Sequence, residues 1–144
     1  MTETNPVRRQ RAATAAVRRF QGAALKYGTN DCIRMAGLTL RKMGHKVQLP
    51  KAGEYKSLLG GLKILRARGF DTVEAALDAM GLQRLPLAYA QPADIIGAPG
   101  ADGVMALWVC VGNGRALGWH EASDVACIIQ PALSDLPVWS AVRG

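Results

Sequence analysis

The spacing of apolar residues divides the chain into a helical part and a strand-rich part. Before residue 93, apolar side chains recur every three to four positions, which is the period of an amphipathic helix. After that residue, short β-branched and aromatic segments alternate with turn residues, as in half-buried strands. This order predicts an α+β protein in which N-terminal helices pack on a small antiparallel β-sheet.

Four helices are predicted from this spacing and from residues that favour helix ends. A proline suits the first turn of a helix over Pro6–Phe20. Thr29-Asn30-Asp31 supplies a cap and a first-turn acid to the second helix, which Gly44 ends. The third helix is expected over Glu54–Arg68, and a short fourth one follows the cap residue Thr72.

The third helix carries two specific expectations. Its buried side is expected to consist of the four leucines Leu58, Leu59, Leu62 and Leu65. Its Gly60-Gly61 pair costs roughly 2 kcal/mol relative to two alanines. A kink or a break is therefore expected at these glycines.

Five short strands are predicted beyond residue 93, and they cover Asp94–Ala98, Gly103–Val111, Arg115–His120, Val125–Gln130 and Val138–Arg143. The turn Gly112-Asn113-Gly114 between the second and the third is a strong hairpin signal. Residues 85–92 are expected to be a linker because of their prolines. Trp108, Trp119 and Trp139 lie in strand segments and are expected to fill the core.

Length and composition narrow the class of protein. A chain of 144 residues with 49% hydrophobic and 20% charged residues suits one globular domain. No apolar run reaches the ~18 residues of a membrane span, and no secretory signal is expected at the N-terminus. The three cysteines are too few and too dispersed for a disulfide scaffold or a zinc module. No pair of His or Cys residues has metal-ligand spacing and no phosphate-binding loop is found, so neither a metal nor a cofactor is expected. Cys110 and Cys127 lie in strand segments and are expected to behave as small buried hydrophobes.

The net charge of +7 is unevenly distributed. Residues 1–70 carry fifteen Lys and Arg against three acids, whereas residues 71–144 have a net charge of −5. Such asymmetry is typical of a protein that binds a polyanion or docks head to tail on a partner, and also of basic helices that are solvated on one face. Residues 1–19 are predicted to be a basic arm or helix, followed by a single domain at 20–144.

Cys32 is the candidate nucleophile. It lies in the first turn of the second predicted helix, where unpaired N–H groups and the helix dipole favour a thiolate, although Asp31 opposes this effect. A thiol nucleophile needs a base nearby, and the chain has two histidines, His45 and His120. His45 lies about a helix length away, whereas His120 ends a strand of the following sheet and is the better partner. The alternative is that the cysteine and the histidine are both structural.

The stretch Phe20–Cys32, followed by a helix, resembles the start of NlpC-type cysteine peptidases, which have a compact papain-like fold. In that family an aromatic-Gly-x-x-Asp-Cys motif, here Tyr27 to Cys32, places the nucleophile at the head of a central helix. Over about residues 20–143 the chain is also similar to a family of small uncharacterised proteins encoded in phage tail gene clusters. Further matches to that family lie at Asp94, Gly112, Gly114 and Trp139. The glycine of the family's Gly-Asp pair is replaced by Ala93.

The chain departs from the peptidase pattern at the catalytic residues. Active NlpC peptidases have a histidine at the start of the strand that runs into the glycine turn. When this turn is aligned with Gly112-Asn113-Gly114, the position of the histidine is occupied by Ala106. Alanine cannot accept a proton, so the base is missing. The third polar residue of the family falls near Gly118, with His120 two positions on and hence on the same strand face. The resemblance implies a peptidase fold with a decayed catalytic set, or else a rearranged dyad of Cys32 and His120.

Three functions are compatible with these residues. The favoured one is a structural component of a phage tail tip or baseplate, located in the virion and contacting hub and distal tail proteins. The second is a cell-wall-degrading cysteine peptidase or amidase that acts on peptidoglycan during genome entry through Cys32 and His120. The third is a nucleic-acid-binding accessory that uses residues 8–68. Nucleic acid is the least expected partner, because only Arg115 interleaves with the tryptophans.

Overall fold

The computed structural model of the chain describes residues 4–120, 123–131 and 135–143. The helices are α1 (Asn5–Phe20), α2 (Cys32–Lys42), α3 (Leu58–Ala67) and α4 (Val73–Ala79). The strands are β1 (Arg84–Leu85), β2 (Ile95–Ala98), β3 (Ala106–Gly112), β4 (Arg115–Gly118), β5 (Cys127–Ile129) and β6 (Val138–Trp139). Within these residues no helix has both the length and the apolar character needed to cross a bilayer. The predicted α+β class, with helices preceding an antiparallel sheet, is confirmed.

The strands form one antiparallel sheet in the order β1-β6-β2-β3-β4-β5. β3 lies inside the sheet, with β2 on one side and β4 on the other. The predicted hairpin joins β3 to β4, and its turn residues Asn113 and Gly114 have φ angles of 55° and 71°. Asparagine and glycine tolerate this left-handed conformation best, so the turn sequence sets the hairpin.

The helices cover one face of the sheet. α1 and α2 pack on each other and on β3. The core between them contains Phe20 from α1, Met35 and Leu40 from α2, and Leu107 and Val109 from β3. A smaller apolar cluster lies on the opposite face and consists of Ile96, Cys110, Ala116, Leu136 and Val138. Adjacent residues of one strand therefore pack in different cores, because successive side chains point to opposite faces of the sheet.

A buried ion pair fastens α1 to the sheet. Arg9 Nη1 donates to Asp94 Oδ1 over 2.6 Å, and the two side chains are 8% and 0% exposed. The backbone N–H of Ala141 donates to the same oxygen over 2.8 Å, and that of Gln91 donates to Oδ2 over 2.9 Å. The segment 1–19, predicted as a basic arm or a helix, thus contributes a packed helix over its described residues.

The structure corrects the predictions for the third helix. α3 begins at Leu58, because Ser57 Oγ accepts the Gly60 N–H over 3.0 Å and so caps the helix there. The predicted kink is wrong, since the helix continues through both glycines, which lie in its first turns. The predicted buried side is wrong for Leu59, which is 60% exposed, and no residue of α3 is fully buried. The other three leucines, Leu58, Leu62 and Leu65, are partly buried, and Leu65 packs against the helix-side core. The ring of Tyr55 would lie 3.3 Å from a Cβ at Gly61, so the glycine allows this ring to pack on the helix.

The predicted strands are too long, and β1 is absent from the prediction. β3 begins at Ala106 because Asp102 and Gly103 have φ angles of 54° and 73°, which a strand does not accommodate. β1 has two residues and pairs with β6, more than fifty positions away, so no local pattern marks it. Trp139 is fully buried as predicted, whereas Trp108 and Trp119 are only partly buried.

Candidate functional site

Asp31 holds together the turn that leads into α2. Its Oδ1 caps the helix by accepting the Arg34 N–H over 2.9 Å. Its Oδ2 accepts the N–H of Gly28 over 2.7 Å and the hydroxyl of Tyr55 over 2.6 Å. Gly28 has a φ of 92°, and a Cβ there would lie 2.1 Å from the Tyr55 carbonyl oxygen. The conformation of the turn thus accounts for Gly28 and Asp31 of the motif, and a catalytic role is not required to explain them.

Cys32 is the first residue of α2, and its thiol lies in a desolvated environment. Burial raises the pKa of the Cys32 thiol to about 11, and the Asp31 carboxylate contributes to the rise. The backbone N–H groups of Leu107, Cys32 and Ile33 lower this pKa without cancelling the effect of burial. Desolvation therefore outweighs the helix start that was expected to favour a thiolate, and at neutral pH Cys32 is a neutral thiol.

The part of β3 that approaches Cys32 offers apolar side chains. The backbone N–H of Leu107 lowers the pKa of the Cys32 thiol, and Ala106 borders the same groove as Cys32. In the resemblance to NlpC peptidases, Ala106 occupies the position of the catalytic histidine. The Leu107 side chain packs in the core between the helices and the sheet. Neither a methyl nor an isobutyl group accepts a proton. At this end of β3 the strand supplies Cys32 with a backbone donor and no base.

Gly118 stands where the third polar residue of the peptidase family is expected. A Cβ on Gly118 would lie 2.1 Å from Cδ1 of Trp108. The Trp108 ring is held in this place because its Nε1–H donates to the Trp119 carbonyl oxygen over 3.3 Å. A side chain at position 118 would have to displace the indole. The position from which the third polar residue of the peptidase family orients the base therefore has no room for a side chain.

His120 is the predicted base, and it contacts a different cysteine. Its Nε2 lies 2.9 Å from Sγ of Cys127, the first residue of β5. Cys127 pairs with Gly118, so its side chain lies on the sheet face of Trp108, opposite the face that α2 covers. The prediction of a buried Cys127 is wrong, because this residue is partly exposed. Cys110 is buried as predicted.

A sequence signal for this pair lies in the turn between the two strands. Residues 121–124, which include the turn residues Ser123 and Asp124, separate the predicted strand that ends at His120 from the one that contains Cys127. A hairpin at these turn residues brings the two strand ends together, and the Ser123 N–H indeed donates to the His120 carbonyl oxygen over 3.1 Å. The pair was missed because strand cysteines are usually inert core residues.

His45 has a structural contact instead of a catalytic one. Its Nε2 lies 2.5 Å from the carbonyl oxygen of Ala141, which can only accept, so the ring nitrogen donates. This bond joins the loop after α2 to the C-terminal segment. The expectation that His45 is a poor partner for Cys32 agrees with this placement.

A groove of about 1070 Å³ extends from Cys32 along α2 and α3. Its walls are mostly apolar and include the partly exposed leucines of α3, Leu58, Leu62 and Leu65. Cys32 and His120 both border it. Grooves of this size and character accommodate small molecules or peptide segments.

A second cleft, of about 410 Å³, lies between α1 and α2 and is basic. It is lined by Arg11, Arg18 and Lys42, together with the polar side chains of Gln10 and Thr14. The cleft is complementary in charge to an acidic partner.

The described part of the chain contains no group of three or more His, Cys, Asp or Glu residues that could hold a metal ion.

Comparison with known proteins places the chain in a family. The model of a family described as a domain of unknown function, DUF6950, matches residues 7–134. Because the match covers most of the chain, the chain belongs to this family. No curated protein matches the sequence.

Proposed function

We propose that the chain is a structural component of a phage tail tip or baseplate, built on an NlpC-like fold whose catalytic centre no longer operates. The observation that carries this proposal is the environment of Cys32. Its thiol is neutral at physiological pH, and the strand that approaches it presents Ala106 and Leu107 in place of a base. The assignment to the tail rests on the resemblance of residues 20–143 to proteins encoded in phage tail gene clusters.

The charge distribution supports docking onto unlike neighbours. Arg11, Arg18 and Arg19 are exposed on α1, whereas Arg9 of the same helix is buried against Asp94. The basic cleft between α1 and α2 thus presents cations to the outside, and the second half of the chain has a net negative charge. A subunit with this polarity suits an assembly in which its basic face meets an acidic surface of a hub or distal tail protein.

The experiment that tests the proposal is the analysis of purified virions of the phage that encodes the chain. We expect mass spectrometry to detect the protein at stoichiometric levels in intact tails. We also expect a phage lacking the gene to accumulate incomplete tails in electron micrographs. Absence of the protein from virions, together with normal tails in the deletion phage, would overturn the proposal.

The alternative function, a cell-wall-degrading cysteine peptidase or amidase, is favoured by one observation. Cys32 and His120 border the same groove, which has room for a peptide. Purified protein incubated with peptidoglycan distinguishes the two functions. We expect no more soluble fragments from the native chain than from the Cys32→Ala variant. Fragment release that this substitution abolishes would establish the peptidase instead.

A further inference from the structure

We propose that Cys127, activated by His120, is the reactive thiol of this protein and is a site of thiol–disulfide exchange with low-molecular-weight disulfides. The proposal concerns a different cysteine from the one in the resemblance to peptidases. It therefore goes beyond the proposed structural function and stands or falls independently of it.

The contact between the two side chains is the first argument. His120 Nε2 lies 2.9 Å from Cys127 Sγ, within hydrogen-bonding distance. A neutral imidazole nitrogen at this position can accept the S–H proton, and an imidazolium can stabilise the resulting thiolate. Both residues are partly exposed, so the pair is within reach of a small solute.

The other two thiols differ from Cys127 in ways that reduce their reactivity. Cys110 is fully buried in the cluster on the sheet face away from the helices. Cys32 is bordered by Asp31, and burial raises its pKa to about 11. Since the thiolate is the attacking species, neither residue is expected to react at neutral pH.

The position of Cys127 in the sheet is compatible with a bulky adduct. Among the described residues, β5 is an edge strand of the sheet and is hydrogen-bonded to β4. Side chains project from the face of a sheet, so the partial exposure of Cys127 and the open flank of its strand are what leave room for a group added to its Sγ. By contrast, Cys110 lies on β3, which has a strand on either side.

The exchange step balances with one disulfide as co-reactant. The Cys127 thiol transfers its proton to His120 Nε2, and the thiolate attacks one sulfur of the disulfide. A new S–S bond forms at Cys127 as the original S–S bond breaks. The departing thiolate then takes the proton from the His120 imidazolium. One disulfide and one thiol are consumed, and one mixed disulfide and one thiol are formed.

Competitive labelling of the native chain with oxidised glutathione, followed by mass spectrometry of the three cysteine peptides, tests the proposal near neutral pH. We expect Cys127 to form the mixed disulfide at least about tenfold faster than Cys32 or Cys110, as a thiol beside an imidazole should. His120→Gln keeps a polar group of similar reach but cannot act as a base, and it should slow Cys127 by about tenfold. The matched control is His45→Gln, which removes the other histidine and should leave the rate at Cys127 unchanged.

Two results would overturn the proposal. One is a native chain in which Cys127 reacts no faster than Cys32. The other is a folded His120→Gln variant in which Cys127 keeps its native rate. If His120→Gln unfolds the chain, all three cysteines will react at similar rates. The order of the three rates in the native protein then tests the proposal.

Discussion

At the residue scale, the ion pair of Arg9 and Asp94 gives a direct test of the packing. Arg9→Met leaves a carboxylate that is 0% exposed without its cationic partner. We expect the free energy of unfolding to fall by about 3–5 kcal/mol, because an unpaired buried charge is costly. Urea denaturation followed by circular dichroism measures this change.

Arg18→Met on the same helix is the control for that substitution. Arg18 is exposed, so its loss should change the free energy of unfolding by no more than about 0.5 kcal/mol. Equal effects of the two substitutions would contradict the view that α1 is anchored through Arg9.

The titration of Cys32 is a second prediction at this scale. The folded state raises the pKa of its thiol from 9.0 to about 11, so the folded chain keeps the proton where the unfolded chain has lost it. The contribution of the Cys32 thiol to the free energy of unfolding is fully present below pH 9 and is lost as the pH rises from 9 towards 11. We expect the free energy of unfolding to decline more steeply over this range in the native chain than in Cys32→Ala. Identical slopes would show that the thiol is not desolvated.

At the element scale, the sequence predicts some helices well and others poorly for physical reasons. α2 is bounded by local signals, since Asp31 accepts hydrogen bonds within its own turn and Gly44 adopts a φ of 96° just after the helix. α3 is predicted as a helix, but its leucine spacing suggests full burial, whereas the groove beside it leaves these side chains partly exposed. Periodicity indicates which residues share a face, but not whether another element covers it.

The candidate site was predictable to a similar degree. The position of Cys32 at a helix start and the apolar residue Ala106 on the approaching strand both follow from the sequence. The contact of His120 with Cys127 depends on the pairing of β4 with β5, and the closure of the Gly118 position depends on the ring of Trp108. Side-chain packing of this kind leaves no local trace in a sequence.

The exposure of α3 predicts a difference in local stability. No residue of α3 is fully buried, whereas α2 buries Met35 and Leu40 in the core. Fewer buried contacts allow a helix to open without global unfolding. We expect amide hydrogens of α3 to exchange at least about 100-fold faster than those of α2 in native-state measurements by mass spectrometry. Equal protection would mean that α3 unfolds only together with the core.

At the scale of the whole molecule, the fold has a helix that begins at a cysteine and packs on the middle of an antiparallel sheet. This is the arrangement implied by the resemblance to NlpC-type peptidases. Ala106 borders the same groove as Cys32, and the Leu107 side chain packs in the core on the side of the helices, so this end of β3 presents no side chain that exchanges protons. A fold can persist while its chemistry changes, because packing and catalysis depend on different residues.

The infectivity of a phage that carries Cys32→Ala tests the central claim most directly. A structural subunit needs its fold but not this thiol, so we predict as many infectious particles as the native phage produces. The deletion phage should produce almost none, and the amount of the protein in purified particles should be unchanged by the substitution. The account would be contradicted if Cys32→Ala particles contained the normal amount of protein and were as non-infectious as the deletion.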